Sequence, residues 1–177
     1  MVGNSGSGKD SIISGAVENY PSNLKKPFIP KRYITRPPSE FEYNIYISPV
    51  EFKEMANQGK FALKWHIYGL DYGVLIEIDD WLKKGHSVIV NVSRIVINEA
   101  RKQYKNIKVI FIEVPFEITV ERIKNRGRES EERLKERIQR AKAHQKLTEA
   151  DFVVRNNGKL EEAVNKFLEY ILKVCKK

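Results

Sequence analysis

The sequence predicts an α/β fold, a parallel sheet flanked by helices, on three observations. Strand-like and helix-like segments alternate along most of the chain, the rhythm of βαβ units. A glycine-rich loop, Gly3-Asn4-Ser5-Gly6-Ser7-Gly8-Lys9-Asp10-Ser11, passes directly into a helical pattern. Between Arg36 and Ile78 the alternation breaks into short aromatic-bearing strands, as expected of an insertion carried by the core.

Gly3, Gly8 and Lys9 have the spacing G-x-x-x-x-G-K of a phosphate-binding loop. Glycines permit positive φ and let successive N–H groups turn inward as an anion nest. The helix that follows points its positive end at the same place, and Lys9 adds a mobile charge. A flexible Gly/Ser terminus is the plain alternative, but it leaves the handover to a helix unexplained. Gly3 to Ser11 are therefore expected to bind a nucleoside triphosphate, which makes the fold a P-loop NTPase. Asp10 stands where Ser or Thr ordinarily holds Mg²⁺, and Ser11 comes one place late. Asp10 and Ser11 are the candidate metal ligands; Asp10 reads equally as a helix-start residue favoured by the dipole.

Only Met1 and Val2 precede Gly3, too few for a buried strand of ~5 residues. The first strand is thus expected to be largely missing, with a clipped or misassigned start as the explanation. Ile12, Ile13, Ala16, Val17 and Tyr20 form the apolar stripe of the first helix, which stops at Pro21. Lys31 to Thr35 reads as a short core strand ended by Pro37-Pro38. In the insertion, Pro49 to Gln58 reads as a helix, and Glu42 to Ile47, Phe61 to Tyr68 and Tyr72 to Ile76 as strands. His86 to Val92 and Ile107 to Val114 are β-branched strands, followed by helices over Val96 to Tyr104 and Phe116 to Arg126. An Arg-rich stretch around Gly127 to Ser130 suggests a second flap. Phe152-Val153-Val154 is the last strand, and Leu160 to Cys175 holds helical spacing over four turns.

These elements compose one kinase-sized domain over 1–177, with a core of 1–35, 79–125 and 147–177, an acceptor-binding insertion of 36–78 and a lid of 126–146. Two flaps on one core suit phosphoryl transfer, in which closure keeps water from competing as acceptor. Hydrophobic content of 41% and charge of 31% are those of a soluble globule. No apolar run approaches the ~20 residues of a membrane helix. A single cysteine, Cys175, excludes an internal disulfide and fits a reducing cytoplasm. Net charge of +9 by itself suggests nucleic acid, but the arginines cluster at phosphate-handling motifs, so a small polyanionic substrate is the better match. No nucleic-acid or membrane partner is expected, and a monomer or homodimer is.

On Arg32-Tyr33-Ile34-Thr35-Arg36-Pro37, Tyr72-Gly73 and Arg126-Gly127-Arg128-Glu129-Ser130, the chain resembles the guanylate-kinase-like nucleoside monophosphate kinases. More narrowly, it is similar to the ribose 1,5-bisphosphate phosphokinases of phosphonate breakdown. The segments concerned are Gly8-Lys9-Asp10-Ser11, Ile34-Thr35-Arg36-Pro37, Phe61-Ala62-Leu63-Lys64-Trp65, Gly69-Leu70-Asp71-Tyr72-Gly73 and Val90-Asn91-Val92-Ser93-Arg94. In that family Asp10 is the usual residue. Guanylate kinases read guanine with a Ser, a Glu and an Asp; the first two fall at Arg32 and Leu63, and the strand end Asn91 to Arg94 carries no carboxylate. Each buried partner left unpaired costs about 1–3 kcal/mol, so guanine recognition is not expected.

The resemblance implies ATP and Mg²⁺ as cofactors and ribose 1,5-bisphosphate as acceptor, giving 5-phosphoribosyl 1-diphosphate and ADP. It assigns Lys9 to the outer phosphates of ATP, and Arg36 and Tyr72 to the acceptor's phosphate. A second arginine that guanylate kinases carry shortly after this position is replaced in the region of Ser39. Arg94 is a candidate for the acceptor's other phosphate. Arg126, Arg128 and Arg137 would neutralise the transferring phosphoryl group, whereas Arg133 and Arg140 fit solvated pairs with Glu129 and Glu136. Asn156 and Asp151 lie near the expected adenine edge, or serve as a turn and a loop cap. His66 stands beside Trp65 in the insertion, as a structural residue or a substrate contact. Guanylate kinase is the alternative enzyme; a non-catalytic binding module of the same fold would be expected to lose Lys9 and the lid arginines, which this chain keeps.

Overall fold

The computed structural model describes residues 1–37, 44–125, 127 and 130–175. Arg126, Arg128, Glu129 and Ser39, singled out above, lie outside them. The chain forms two compact units, Met1–Pro21 with Asn106–Lys177, and Ser22–Lys105.

The first unit holds a three-stranded parallel sheet in the order β1-β6-β7, from β1 (Val2–Gly3), β6 (Ile110–Glu113) and β7 (Phe152–Arg155). β1 has only two residues, yet it is in register: Val2 lies opposite Phe111 and Gly3 opposite Ile112. Phe111, Ile112 and Val154 are almost fully buried, the sign of a sheet covered on both faces. Helices α1 (Lys9–Glu18) and α7 (Leu160–Cys175) pack together, with Gly15 at the close approach. A Cβ on Gly15 would come within 2.8 Å of Val164 Cγ2, so a larger residue there requires Val164 or the helices to shift. α7 buries Ala163, Val164, Phe167 and Ile171, the i, i+1, i+4, i+8 stripe read from the sequence. Helices α5 (Phe116–Asn125) and α6 (Glu131–Ala143) pack on each other. α6 starts at Ser130, whose hydroxyl accepts from Arg133 N.

The second unit holds a four-stranded sheet in the order β3-β2-β5-β4, from β2 (Arg32–Ile34), β3 (Asn44–Tyr46), β4 (Phe61–Ile67) and β5 (Leu70–Leu75). Lys31 to Thr35, expected among the core strands, thus supplies β2 of this sheet. β2 runs parallel to β3 and antiparallel to β5. Helix α2 (Pro49–Asn57) begins at a capping box in which Ser48 Oγ accepts from Glu51 N and Glu51 Oε2 from Ser48 N. Its Phe52 stacks on Phe61 at 4.7 Å between ring centroids.

Several boundaries differ from the sequence reading. Tyr68 leaves its strand to form a two-residue hairpin turn with Gly69, at φ 57° and 67°, and Leu70 and Asp71 join β5 instead. Positive φ at both central positions matches strand twist, but tyrosine is a poor signal for it. A helix over Glu77–Lys83, α3, was not anticipated; its first turn carries Glu77, Asp79 and Asp80. Arg94–Val96 form a 3₁₀ turn before α4 (Ile97–Gln103), so the expected helix starts tighter.

The largest correction concerns His86 to Val92, which forms no strand. It makes one parallel bridge, Phe28 with Val88, through Phe28 N to Ser87 O at 2.8 Å and Ile89 N to Phe28 O at 3.0 Å. The next bond of such a ladder would be donated by residue 30 to the Ile89 carbonyl. That residue is Pro30, which has no N–H, so pairing stops.

Candidate active site

The glycine loop lies where β1 ends and α1 begins, and its glycines are closely packed. A Cβ on Gly3 would come within 2.8 Å of Ser7 Oγ and 2.9 Å of Ile112 O. At Gly6, with φ 80°, it would meet Ile123 Cγ1 and Arg122 Cβ of α5 at 3.3 and 3.4 Å. Gly8, with φ 82°, is the N-cap of α1 and provides no capping side chain for its first turn.

Lys9 folds back across this loop. Its Nζ donates to Gly3 O at 3.0 Å, Asn4 O at 2.9 Å and Ser7 Oγ at 3.2 Å. The ammonium is thereby held against the loop backbone, beside the N-terminal amides of α1. A positive charge held at the start of a helix suits an anion. Asp10 falls in the first turn of α1, and Ser11 beside it is exposed.

Long-range side-chain hydrogen bonds hold the loop from outside. Asn156, 3% exposed, donates Nδ2 to Ser7 O at 2.9 Å and takes its own place in the sheet through Asn156 N to Glu113 O at 2.9 Å. Arg137, 6% exposed on α6, donates Nη1 to Ser5 Oγ at 2.7 Å. Asn4 Nδ2 donates to His144 O at 3.0 Å and Ala141 O at 3.4 Å. Asp151 instead closes the start of the neighbouring strands, its Oδ2 accepting from Val109 N at 2.6 Å. A cavity of about 380 Å³ opens at the C-terminal ends of β6 and β7, lined by Glu113, Val114, Pro115, Gln145, Lys146, Arg155 and Asn157. In parallel sheets that end is where ligands bind.

The second unit carries Arg36, Tyr72 and Arg94. Tyr72 pairs with Ile34 on one side and with Trp65 on the other, its ring stacked on the Trp65 indole at 5.3 Å and 5°. Arg36 follows Ile34 by two residues and is half-buried. Arg94 heads the 3₁₀ turn, which packs against β4, the strand of Trp65. Thr35 ties β2 to β5 beyond their register, Asp71 N donating to its Oγ1 at 2.9 Å and its own N to Asp71 O at 3.1 Å. Leu63 is 2% exposed, and Arg32 is held by Asn44 Oδ1 at 3.1 Å and Asn91 O at 3.4 Å. His66 forms an exposed pair with Asp71 at 2.7 Å.

Sequence reasoning missed the contacts of Asn4 and Ser5 with α6. Nothing local marks them, because their partners lie more than 130 residues away.

The profile of the guanylate kinase family matches residues 1–174. The chain is 38% identical over 170 residues to the ribose 1,5-bisphosphate phosphokinase PhnN of Pectobacterium atrosepticum, covering 94% of this chain and 89% of that one. It is 35% identical over 172 residues to the protein of that name from Thiobacillus denitrificans, covering 97% and 90%. Among solved structures, guanylate kinase from Anaplasma phagocytophilum shares the fold with a TM-score of 0.71 at 17% identity, over 99% of this chain and 85% of that one. The profile and the identity with these relatives extend along nearly the whole chain, which therefore belongs to the ribose 1,5-bisphosphate phosphokinase family within the guanylate-kinase-like proteins.

Proposed function

We propose that the protein transfers the γ-phosphoryl group of ATP to the 1-phosphate of ribose 1,5-bisphosphate, giving 5-phosphoribosyl 1-diphosphate and ADP. The observation that carries this reading is identity of 34–38% with proteins named for that activity, over most of the chain. Leu63 accords with it: an apolar, buried residue on the acceptor-unit strand offers no acceptor to a guanine N–H.

Lys9 and the loop amides from Ser5 to Lys9 hold the outer phosphates of ATP, and the base enters the cavity beside Asn157. Asn156 acts on the nucleotide through the loop it supports. Asp10 and Ser11 offer the hard oxygen donors that Mg²⁺ prefers, at the helix start nearest the phosphates. When bound, Mg²⁺ would neutralise charge on the β- and γ-phosphates. Arg36, Tyr72 and Arg94 hold the acceptor, arginine meeting phosphate oxygens with two parallel donors. Arg137 brings a guanidinium to the loop, and Arg126 and Arg128, from the lid, complete the neutralisation. The attacking oxygen is already a phosphate oxyanion at neutral pH, so no general base is needed; position and charge supply the catalysis. The site handles small solutes, and the single cysteine suits a reducing cytoplasm. No helix among the described residues is long and apolar enough to cross a membrane.

The test is ADP release from ATP with ribose 1,5-bisphosphate or GMP as acceptor. Turnover of the bisphosphate alone is expected. Turnover of GMP alone would sink the assignment.

A further inference from the structure

Two adjacent loop side chains grip one helix. Ser5 Oγ accepts from Arg137 Nη1, and Asn4 Nδ2 donates to the carbonyls of Ala141 and His144. Positions 137, 141 and 144 follow one face of α6, spanning ~10 Å along its axis. His144 is the C-cap of that helix, and Ala141 lies in its last turn. The last carbonyls of a helix lose the amide four residues on as a partner, so side-chain donors can cap them. Gln145 Nε2 supplies one to Lys142 O at 3.2 Å. Asn4 donates to Ala141 O and His144 O from the phosphate loop, about 140 residues away.

We propose that Asn4 is a positioning residue, which registers the C-terminal turn of α6 on the phosphate loop through its side-chain amide. One contact, Ser5 with Arg137, would leave α6 free to pivot about it. A second contact a turn or two further along removes that freedom. It fixes the Arg137 guanidinium over the loop. It also fixes the chain after His144, whose Gln145 and Lys146 form one wall of the cavity at the strand ends. Asn4 thus couples the phosphate site to two features that α6 supplies, and its carboxamide matters as a donor rather than as a filler of space. This rests on the kinase reading of the loop, but not on which acceptor is used.

The test compares Asn4→Ala and Asn4→Asp with wild type in the full chain, on whichever acceptor the wild-type protein turns over. Losing a donor worth one to two net hydrogen bonds should lower kcat/KM for ATP roughly tenfold in Asn4→Ala. KM for the acceptor should stay within about twofold. Asn4→Asp keeps the shape but turns an acceptor toward two carbonyls, so its loss should be larger. It should shrink relative to wild type as pH falls and the carboxyl gains a proton to donate. Backbone amides of residues 141–146 should exchange faster in both variants, a readout independent of activity. Three results would each overturn the proposal: unchanged kcat/KM, equal losses in the two variants at every pH, or unaltered exchange at the end of α6. A lowered Tm with full activity of the folded protein would likewise reduce Asn4 to a structural role and end it. If wild type uses GMP instead of the bisphosphate, the acceptor assignment fails while the Asn4 comparison still stands.

Discussion

Asn156 donates its side-chain amide to the carbonyl of Ser7, 149 residues earlier in the chain, at 2.9 Å. The same Nδ2 would lie 2.5 Å from a Cβ placed on Gly8. One buried amide therefore sets both the height of the loop and the identity of the residue that closes it. Gly8→Ala is opposed twice, by this contact and by a φ of 82°.

Asn156→Asp should weaken ATP binding by about tenfold or more. The carboxylate has no hydrogen to give Ser7 O, and a buried group left unpaired costs about 1–3 kcal/mol. Calorimetric titration with an unreactive ATP analogue checks this. Affinity equal to wild type would show that the loop does not depend on its support.

Lys9→Ala should abolish transfer, with at least a hundredfold loss in kcat, while Tm moves by only a few degrees. Lys9 bonds the loop's own oxygens rather than the core, so the fold has little stake in it. Retained turnover would place the ATP site elsewhere.

Arg36→Lys should raise KM for the acceptor roughly tenfold and leave KM for ATP within twofold. Lysine keeps the charge but not the planar pair of donors that grips a phosphate. Steady-state kinetics with each substrate varied in turn separates the two. A change confined to ATP would reassign Arg36.

Tyr104→Phe should destabilise the protein by about 1–2 kcal/mol, since its hydroxyl donates to Asp79 Oδ1 at 2.7 Å. Burial, and then this bond and the carboxylate charge, raise the Tyr104 pKa well above the ordinary tyrosine value. Above pH ~10 the unfolded chain loses this proton while the folded one keeps it. The stabilisation is therefore full below that pH and declines as pH rises toward the folded pKa. Urea melts from pH 8 to 11 should show the wild type losing this advantage over Tyr104→Phe. Parallel curves for the two would contradict it.

The local chemistry of the loop was legible in the sequence, because glycine spacing and a following helix fix where amides and an ammonium must point. The helical stripe of α7 was equally legible, since Ala163, Val164, Phe167 and Ile171 recur at the period of a helix and are buried. So was the run of β6, apolar because both its faces are covered.

Other features depend on what a segment meets. His86 to Val92 has the β-branched composition of a strand, yet its pairing ends at Pro30, some 60 residues away in sequence. Tyr68 takes positive φ because the register of β4 and β5 leaves it at the hairpin turn, against its own preference. Asn156 could be a turn residue or a nucleotide contact from sequence, and the fold gives its amide to Ser7. Asn4 reads from sequence only as part of the phosphate loop, and the fold gives its amide to carbonyls at the end of α6. Propensity and spacing act over a few residues and so appear in the sequence. Hydrogen-bond partners more than a hundred residues apart are chosen by packing, and only the tertiary structure decides them.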